Sequence, residues 1–373
     1  MKIRCDREKF LAAYQTVSSV VPARSPKPIL QNVKLDVDAD KAVLTATDLE
    51  IGVRFEVPGV EVDAAGSAVL QASRFGSILR EMSDATLEIE ADAHGTTVRG
   101  QRSRFSLPGE DPREFPAVAA FTEQQYHVVA ARVLRELIRR TVFATDAEST
   151  RYALGGVLFE IESDKITAVG TDGRRLARMQ GAAQAVGEPS YAAEAMPIVP
   201  AKAMHFMERA LVSESGDVSL AATANSVLLK GERITIFSRL VEGRFPKWRD
   251  VFPRQEQGAK IPVVIGTFHG AVRQSAIVTD DDSRGVDFSF NDGKVTLTGR
   301  APKWGESHVE LPIPYDGPAV SITLDPRYLV DFLRVLDQEK TFTLEVRGAE
   351  SAAVCSTDDG YGYVIMPLAR DHG

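Results

Sequence analysis

The residue types that could carry out acid–base or metal chemistry are present in this chain but scattered. None of the six histidines forms an H-x-x-x-H or H-E-x-x-H pair that would bind zinc. The two cysteines, Cys5 and Cys355, are too few for a disulfide framework or a four-ligand zinc site. The sequence also lacks a G-x-S-x-G elbow, a phosphate-binding P-loop and a G-x-G-x-x-G motif. We therefore expect no catalysis, no metal and no cofactor.

Three consecutive aspartates, at 280–282, are the strongest candidate for a cation site. Hard cations such as Mg²⁺ need several converging oxygen ligands, and this run has no partner motif elsewhere in the chain. A solvated acidic loop is the favoured interpretation.

Basic residues show a clearer pattern, on a segment that reads as a helix at 131–141. Arg132, Arg135 and Arg139 are spaced i, i+3 and i+7, so they share one helix face. The apolar residues face the other way: Leu134, Leu137 and Ile138. The corresponding helices carry weaker basic pairs: Arg74 with Arg80, Lys202 with Arg209, and Arg327 with Arg334.

These basic faces recur in a chain whose formal net charge is -8. They suggest a basic inner surface that binds phosphates by counterion release and does not read bases. For any one helix, an ordinary solvated face remains the alternative.

The elements that must position these residues follow a threefold repeat. The same β-hairpin pattern, two alternating runs around a polar turn with a lysine, occurs at 33–48, 157–172 and 286–299. A spacing of about a third of the chain indicates a series of whole domains, because solenoid repeats are much shorter.

Each repeat also contains two predicted helices. The first helices precede the hairpins, at 6–21, 131–144 and 267–278, and the second follow them, at 73–82, 200–211 and 325–336. Asp6, Ser73 and Asp325 are expected to cap helix starts, and Pro200 and Pro326 suit early helical positions.

Short alternating strands follow each second helix, so the fold class is α+β, with helices on antiparallel sheets. Polar or small segments without periodicity place the domains at 1–121, 122–257 and 258–373. The N-terminus lacks an apolar signal core and no window approaches a membrane span. We expect a soluble cytoplasmic protein that does not contact membranes.

Six segments together resemble the bacterial replicative sliding clamp family, the β subunit of DNA polymerase III. They are Pro-Lys-Pro-Ile-Leu at 26–30 after Arg24, Thr-Ala-Thr-Asp-Leu-Glu at 45–50, Thr-Arg-Tyr-Ala-Leu-Gly-Gly at 150–156, Thr-Asp-Gly-Arg-Arg-Leu at 171–176, Gly-Arg-Phe-Pro at 243–246, and Tyr-Val-Ile-Met-Pro-Leu at 363–368. The resemblance covers essentially the whole chain. Each segment alone is a weak signal, but six in order on a threefold repeat are specific.

The resemblance implies a head-to-tail homodimer in which two three-domain chains close into a ring around double-stranded DNA, with helices inside and sheets outside. Such a ring would tether the polymerase during replication without reading DNA sequence. By similarity, the DNA-facing residues are Arg24, Arg74, Arg80, Arg135, Arg139, Tyr152 and Lys202. Tyr152 could instead be a packing aromatic. The family's neighbouring aromatic is Ala153 here, and its upstream polar residue falls on Glu148.

The resemblance also implies an outer peptide groove for the polymerase III α subunit, the clamp loader and other proteins with clamp-binding motifs. Its matching positions are Leu154, Thr171, Gly173, Arg174, Arg175, Leu176, Pro246, Val251, Tyr328, Val364, Met366, Pro367 and Leu368. Such residues suit a small apolar pocket with a polar rim. Plain core packing is the alternative for Leu154, Leu176 and Val364.

This sequence departs from the family pattern at the groove rim. Asp250 stands at a basic position, Ser283 at an aromatic one, and the chain continues past the usual terminus at 369–373. The subunit interface implied by the resemblance pairs Phe105 and Leu107 with Ile277 and Val278 of the partner, although ordinary core packing is open there too.

Two other functions remain as alternatives. An enzyme on a triplicated scaffold is disfavoured by the missing motifs. A clamp paralogue that has lost its main replicative partner is consistent with the residues at 250 and 283 and would fail to bind a family docking peptide. A trimer of two-domain chains is disfavoured because three repeats are visible.

Overall fold

The computed structural model describes residues 1–146, 148, 153–187, 196–252 and 258–369. Tyr152 and residues 370–373, which belong to the sequence-based expectations, lie outside the described residues.

Helices form where the apolar periodicity predicts them. Within the described chain the α-helices are α1 (Arg7–Ser18), α2 (Ala72–Glu81), α3 (Ala131–Arg139), α4 (Ala201–Ala210), α5 (Ile265–Ser275) and α6 (Pro326–Arg334). Short 3₁₀ helices occur at Pro28–Gln31, Pro112–Glu114, Val142–Ala144, Leu211–Ser213, Trp248–Asp250 and Ala276–Val278. All three first helices therefore end earlier than expected, and in the middle and last thirds the last predicted residues form a 3₁₀ turn.

The predicted helix caps are confirmed at two of three positions. The carboxylate of Asp6 accepts the Lys9 backbone N–H at 2.9 Å, and that of Asp325 accepts the Arg327 N–H at 3.0 Å. The prediction for Ser73 is wrong, because the strand before α2 runs directly into the helix and Gln71 holds the cap position without a side-chain bond. Ser73 is already inside the first turn.

The strands of the first third are β1 (Lys2–Asp6), β2 (Asn32–Val37), β3 (Ala42–Thr47), β4 (Ile51–Glu56), β5 (Val60–Ala64), β6 (Gly66–Gln71), β7 (Thr86–Asp92), β8 (Gly95–Arg99) and β9 (Arg104–Pro108). The middle third contains β10 (Tyr126–Ala130), β11 (Gly156–Ile161), β12 (Lys165–Thr171), β13 (Arg175–Ala182), β14 (Gln184–Val186), β15 (Ile198–Pro200), β16 (Asp217–Ala222), β17 (Ser226–Lys230) and β18 (Ile234–Arg239). The last third contains β19 (Ala259–Val264), β20 (Val286–Asn291), β21 (Lys294–Ala301), β22 (Gly305–Pro312), β23 (Val320–Leu324), β24 (Thr341–Val346), β25 (Ala353–Ser356) and β26 (Gly362–Ile365).

The same local unit occurs twice in each third: a strand, a helix, then three strands. In the last third these units are β19-α5-β20-β21-β22 and β23-α6-β24-β25-β26. The other thirds follow the same order, each with one added short strand, β5 or β14. The three similar hairpins, β2-β3, β11-β12 and β20-β21, all lie in the first unit of their third.

The chain forms two compact units that do not coincide with the sequence thirds. The first comprises residues 1–135, 162–164 and 182–240, and the second comprises 136–161, 165–181 and 241–373. In the first unit, one sheet has the order β5-β1-β7-β8-β9 and the other β14-β10-β16-β17-β18-β4-β3-β2-β6.

In the second unit, the strands follow the orders β11-β12-β13-β26-β25-β24-β19 and β22-β21-β20-β23. Antiparallel pairing therefore links strands of different thirds in each unit, through β18 with β4 and through β26 with β13. These two pairs are called the internal junctions below.

Aromatic contacts anchor the helices on their sheets. In the first unit the ring of Phe75 lies 5.1 Å from Tyr14 and 6.1 Å from Phe10, so α1 and α2 share one core. In the second unit Phe332 of α6 stacks on Tyr363 of β26 with centroids 4.9 Å apart. Such pairs contribute about 0.5–1.5 kcal/mol beyond their buried area.

Two glycines let the end of a first helix approach its sheet closely. A Cβ on Gly299 of β21 would lie 2.7 Å from the Ser275 carbonyl oxygen, and one on Gly170 of β12 would collide with the Thr141 carbonyl oxygen. Because real Cβ atoms do not approach so closely, these positions accept glycine alone without a shift of the helix. They mark equivalent points in the middle and last thirds.

Candidate functional sites

Helix α3 presents its basic residues as the sequence predicts. Leu134, Leu137 and Ile138 are at most 1% exposed, Arg132 is exposed, and Arg135 and Arg139 are half-buried. The amphipathic assignment of this helix is therefore confirmed. Its basic face lies opposite the core, where a polyanion could reach it.

Part of this positive charge is already neutralised. A terminal nitrogen of Arg139 pairs with the Glu136 carboxylate at 2.9 Å, and Glu136 also pairs with Arg140 at 3.0 Å. The Nε–H groups of Arg135 and Arg139 are buried and have no hydrogen-bond partner within the described residues. A buried Nε–H cannot reach a phosphate in solvent, so any contact of these arginines with DNA depends on their other guanidinium nitrogens.

The remaining DNA-facing candidates lie in the first unit. Arg24, Arg74 and Arg80 are exposed, and Arg80 donates to the Ser77 hydroxyl at 3.1 Å. Lys202 of α4 is exposed but forms an ion pair with Asp48 in the turn between β3 and β4. Because this ion pair competes with any phosphate, Lys202 is a weaker candidate than the exposed arginines.

The turn that contains Asp48 has a counterpart in the second unit. The Thr47 hydroxyl donates to the Ile51 carbonyl at 2.8 Å, and the Thr171 hydroxyl donates to the Arg175 carbonyl at 2.6 Å. In both turns the following aspartate accepts two backbone N–H groups: Asp48 from Glu50 and Ile51, and Asp172 from Arg174 and Arg175. These self-capped Thr-Asp turns fix the hairpin tips that begin the strands at the internal junctions.

Arg175 is the electrostatic centre of the predicted peptide groove. Its side chain is 10% exposed, pairs with Asp331 of α6 at 2.7 Å and with Asp172 at 3.0 Å, and donates to the Phe143 carbonyl. Its guanidinium lies 4.6 Å from the centre of the Tyr328 ring. Burial disfavours its charge, but Tyr363, Asp331 and Asp172 together raise the pKa of Arg175, so the residue stays cationic.

Backbone pairing brings the central groove residues together. Leu176 pairs with Val364 across β13 and β26, the Met366 N–H donates to the Arg174 carbonyl, and the Leu368 N–H donates to the Thr323 carbonyl, both at 2.9 Å. Leu176 and Val364 are buried, whereas Met366 is 45% exposed. Pro367 and Leu368 are half-buried, and Gly173 and Arg174 are exposed. Leu176 and Val364 therefore pack as core residues, Met366 is an accessible apolar side chain beside them, and a peptide groove at this place stays a prediction.

The other groove candidates lie on loops of the same unit, except Thr171, which ends β12. Leu154 and Thr171 are buried, Pro246 is half-buried and Val251 is 41% exposed. The 3₁₀ helix between Pro246 and Val251 is held by a buried carboxylate that the sequence reasoning missed. Glu160 accepts the Trp248 indole N–H at 2.8 Å and binds Arg249 through both carboxylate oxygens, at 2.8 and 2.6 Å.

The two departures from the family pattern sit in polar surroundings. Asp250 is exposed, and Ser283 is half-buried, with its N–H donating to the Asp280 carboxylate at 2.7 Å. The neighbouring Asp281 pairs with Arg327 at 3.1 Å. The aspartate run thus bonds its own turn through Asp280 and the start of α6 through Asp281. Among the described residues no group of three or more histidine, cysteine, aspartate or glutamate side chains could hold a metal ion.

Two sheet edges carry the residues expected at a subunit interface. β9 ends the order of one sheet in the first unit, and β22 ends one in the second unit. Phe105 on β9 is 37% exposed and Ile277, in the 3₁₀ helix beside β22, is 79% exposed. Leu107 and Val278 are half-buried. Large exposed apolar residues next to open strand edges are typical of a protein–protein contact.

Comparison with known proteins gives a consistent family assignment. The models for the N-terminal, central and C-terminal domains of the DNA polymerase III beta subunit match residues 1–119, 128–247 and 249–369. The chain belongs to the DNA polymerase III beta subunit family.

Relatives in this family match along their full length. The beta sliding clamp of Pseudomonas putida is 30% identical over 374 residues, and that of Caulobacter vibrioides is 30% identical over 379 residues, each covering 99% of this chain and 100% of the relative. A crystal structure of the Pseudomonas aeruginosa DnaN sliding clamp bound to griselimycin has a TM-score of 0.92 at 28% identity, covering 99% of this chain and 100% of that chain.

Family membership defines the general function. The chain is a DNA sliding clamp that tethers the polymerase for processivity, and it is a non-catalytic subunit. The sequence-based expectation of a clamp of α+β domains with antiparallel sheets is therefore confirmed. None of the helices in the described part of the chain is long and apolar enough to cross a membrane.

Proposed function

We propose that two copies of this chain close head to tail into a ring around double-stranded DNA, with β9 of one copy pairing to β22 of the other. The internal junctions carry this proposal. At each one, the last strand of one second half pairs antiparallel with the last strand of a first half. Of the strands in equivalent positions, β9 and β22 end their sheets in the described chain.

The ladders of the second halves define which residues are equivalent. Matching positions connect across three strands as Leu220–Leu229–Ile236, Leu344–Cys355–Tyr363 and Ile89–Val98–Phe105. Phe105 is therefore the counterpart of Ile236 and Tyr363, and Leu107 is the counterpart of Ser238 and Ile365.

The first halves supply the other side of each junction. Ile236 pairs with Val53 and Ser238 with Ile51, while Tyr363 pairs with Ala177 and Ile365 with Arg175. In the last third, the hairpin ladder makes Ser307 and Gly305 the counterparts of Val53 and Ile51. The contact between copies, called the seam below, thus places Phe105 opposite Ser307 and Leu107 opposite Gly305.

The same comparison with the internal junctions predicts which residue of the other copy Ile277 contacts. In the second unit, Phe143 of the 3₁₀ helix after α3 packs on Tyr363, with ring centroids 5.7 Å apart. Ile277 occupies the same place in the 3₁₀ helix after α5, and Phe105 is the counterpart of Tyr363. This supports the interface of Phe105 and Leu107 with Ile277 and Val278, and it accounts for their exposure in a single chain.

The exposed charges at the seam are complementary. In this register Arg102 stands opposite Glu310, and Arg104 is diagonal to both Glu306 and Glu310. Glu306 already pairs with Arg300, and Glu310 with Lys294. Because exposed ion pairs contribute little net energy, these charges would fix the register more than they strengthen the dimer.

DNA would be held by enclosure, with Arg24, Arg74, Arg80, Arg135, Arg139, Tyr152 and Lys202 providing weak phosphate contacts. Diffuse contacts of this kind suit sliding, since they depend on charge and not on base sequence. The exposed arginines of α2 and the basic face of α3 support this role most directly.

Release from DNA of different topology tests the enclosure. After loading onto a nicked circular plasmid, we expect the protein to remain bound through gel filtration, to run off once the plasmid is linearised, and to stay when the linear ends are blocked. Equal loss from circular and linear DNA would contradict enclosure.

The groove is proposed to dock short motifs of the polymerase III α subunit, the clamp loader and other partners. One buried leucine or phenylalanine anchor contributes about 1.5–3 kcal/mol, so two anchors less the ordering cost favour exchangeable binding. A labelled family docking peptide should therefore bind at micromolar concentration. No binding in that range would favour the alternative that this chain is a clamp paralogue without the main replicative partner, with which Asp250 and Ser283 are consistent.

We propose that each copy has three domains, at 1–121, 122–257 and 258–373. The closed dimer then contains six domains. A protein that works on DNA in a bacterial cell would act in the cytoplasm.

A further inference from the structure

The hairpin between β21 and β22 ends in an exposed tryptophan. The internal junctions have no aromatic residue at this position. Trp304 is 57% exposed, and the Lys303 ammonium lies 4.6 Å from its ring centre. The chain's other tryptophan, Trp248, is 7% exposed, and its indole N–H donates to the Glu160 carboxylate. A large exposed aromatic at the end of an open sheet edge suggests a partner surface.

At both internal junctions, the residue at the position of Trp304 forms a backbone hydrogen bond to the neighbouring strand. At the first, the Glu50 carbonyl accepts the Arg239 N–H at 2.9 Å, and at the second, the Arg174 carbonyl accepts the Met366 N–H, also at 2.9 Å. In both cases the hairpin tip is tied to the residue that follows the last paired position of the neighbouring strand. Both tips also carry the self-capped Thr-Asp turn.

Trp304 and Pro108 occupy these two positions at the seam. Trp304 directly precedes Gly305, as Glu50 precedes Ile51, and Pro108 directly follows Leu107, as Arg239 follows Ser238. Proline has no N–H, so the hydrogen bond that ties both internal junctions cannot form there. The hairpin tip also lacks a Thr-Asp turn, since Arg300 and Ala301 stand at the positions of Thr47 and Asp48, and the Trp304 N–H donates to the Ala301 carbonyl at 3.1 Å.

We propose that Trp304 of each copy packs on Pro108 of the other, and that this apolar contact replaces the missing hydrogen bond and latches the seam. The inference rests on the proposed head-to-tail ring. Pro108 is exposed in the single chain, as is Gly305, whose φ of +96° turns the chain from the tip into β22. Tryptophan buries a large rigid surface at little entropic cost, which makes it a frequent centre of interface energy.

Fluorescence of Trp304 tests the contact directly. In a Trp248→Phe background, Trp304 is the sole tryptophan. With excitation at the red edge of its absorption, where tyrosine does not absorb, its quenching by acrylamide can be followed while the protein is diluted from micromolar to subnanomolar concentration. We expect a blue-shifted, protected emission in the dimer and a several-fold rise in quenching as the dimer dissociates. If Trp248→Phe does not fold, the difference between the wild-type and Trp304→Phe spectra gives the same information.

Sedimentation on the same samples separates the two levels of inference. A dimer in which Trp304 is as easily quenched as in the monomer would overturn the latch and leave the ring intact. A protein that is monomeric at all concentrations would overturn both.

Dimer affinity supplies a second, independent test. Trp304→Ala should raise the dimer Kd by about 30-fold for each seam, hence by ~1000-fold for the two seams of a closed dimer, as expected for an interface centre. Pro108→Ala removes the ring contact but restores a backbone N–H, so its own effect should be smaller, and the double variant should be weaker by less than the product of the two effects. Val212→Ala, at another exposed apolar position, should leave the Kd unchanged. Fully multiplicative effects of Trp304→Ala and Pro108→Ala would show that the two residues do not touch.

Discussion

Truncation of Ile277 should open the proposed ring without unfolding the chain. The side chain is 79% exposed, so an alanine there removes little from the core of a single copy. At the seam it would pack on Phe105 of the partner, as Phe143 packs on Tyr363 within the chain. The substitution therefore tests the register derived from the internal junctions.

The expected magnitude follows from the carbon atoms removed. Ile277→Ala deletes three carbons, worth ~0.8 kcal/mol each when buried, and the exposed fraction available for burial reduces the sum to ~2 kcal/mol per seam. A closed dimer has two seams, so the loss is ~4 kcal/mol, or a dimer Kd weaker by ~1000-fold.

Sedimentation velocity across a concentration series measures this Kd, and thermal unfolding of the monomer provides the check on folding. Val212→Ala is the matched control, since Val212 is 61% exposed and lies in the 3₁₀ helix after α4, away from β9 and β22 in sequence. If Ile277→Ala and the control gave the same Kd, the transfer of register from the internal junctions to the seam would be wrong.

Three further outcomes are expected. Arg135→Glu combined with Arg139→Glu should lower the salt slope of DNA binding by up to about 0.9 for each phosphate that is no longer neutralised, with dimerisation unchanged; an unaltered slope would reject the basic face of α3. Glu160→Gln should weaken docking-peptide binding and lower the free energy of unfolding in urea by about 1–3 kcal/mol, because Trp248 and Arg249 lose a charged acceptor. Full peptide affinity in this variant would show that the carboxylate does not support the groove. Burial, partly opposed by the Glu162 backbone, lowers the pKa of His127, so the fold should lose stability as pH falls below the unfolded value of about 6.5; His127→Gln should flatten that dependence in denaturant titrations between pH 7.5 and 5, and an unchanged dependence would assign it to other groups.

Local structure was predictable wherever a short-range pattern carried it. The alternation around 286–299 gave β20 and β21, and the spacing of Leu134, Leu137 and Ile138 gave the buried face of α3. Asp6 and Asp325 were recognisable caps because a single side chain bonds a nearby N–H. Ser73 failed as a cap because the preceding strand, and not the residue type, determines where α2 begins.

Pairings between distant residues were not predictable from the same patterns. The alternation of β4 and β18 shows that both are strands, but nothing in either indicates that Ile51 meets Ser238. The buried acceptor for Trp248 was likewise hidden, since Glu160 lies 88 residues away in sequence. The repeated Thr-Asp pairs at 47–48 and 171–172 were the available signal for the junctions, and the absence of a third pair pointed to the position that ends in Trp304.

The pairing of β18 with β4 has a consequence for attempts to dissect the protein. A fragment cut at a boundary read from the sequence, near residue 121, would expose the whole edge of β4 with its apolar Ile51 and Val53, both at most 2% exposed in the intact chain. The unpaired backbone N–H and C=O groups of such an edge strand can bond a strand of another molecule. Isolated thirds should therefore aggregate or swap strands. The boundaries of the sequence repeat are therefore not the boundaries at which the folded chain can be cut.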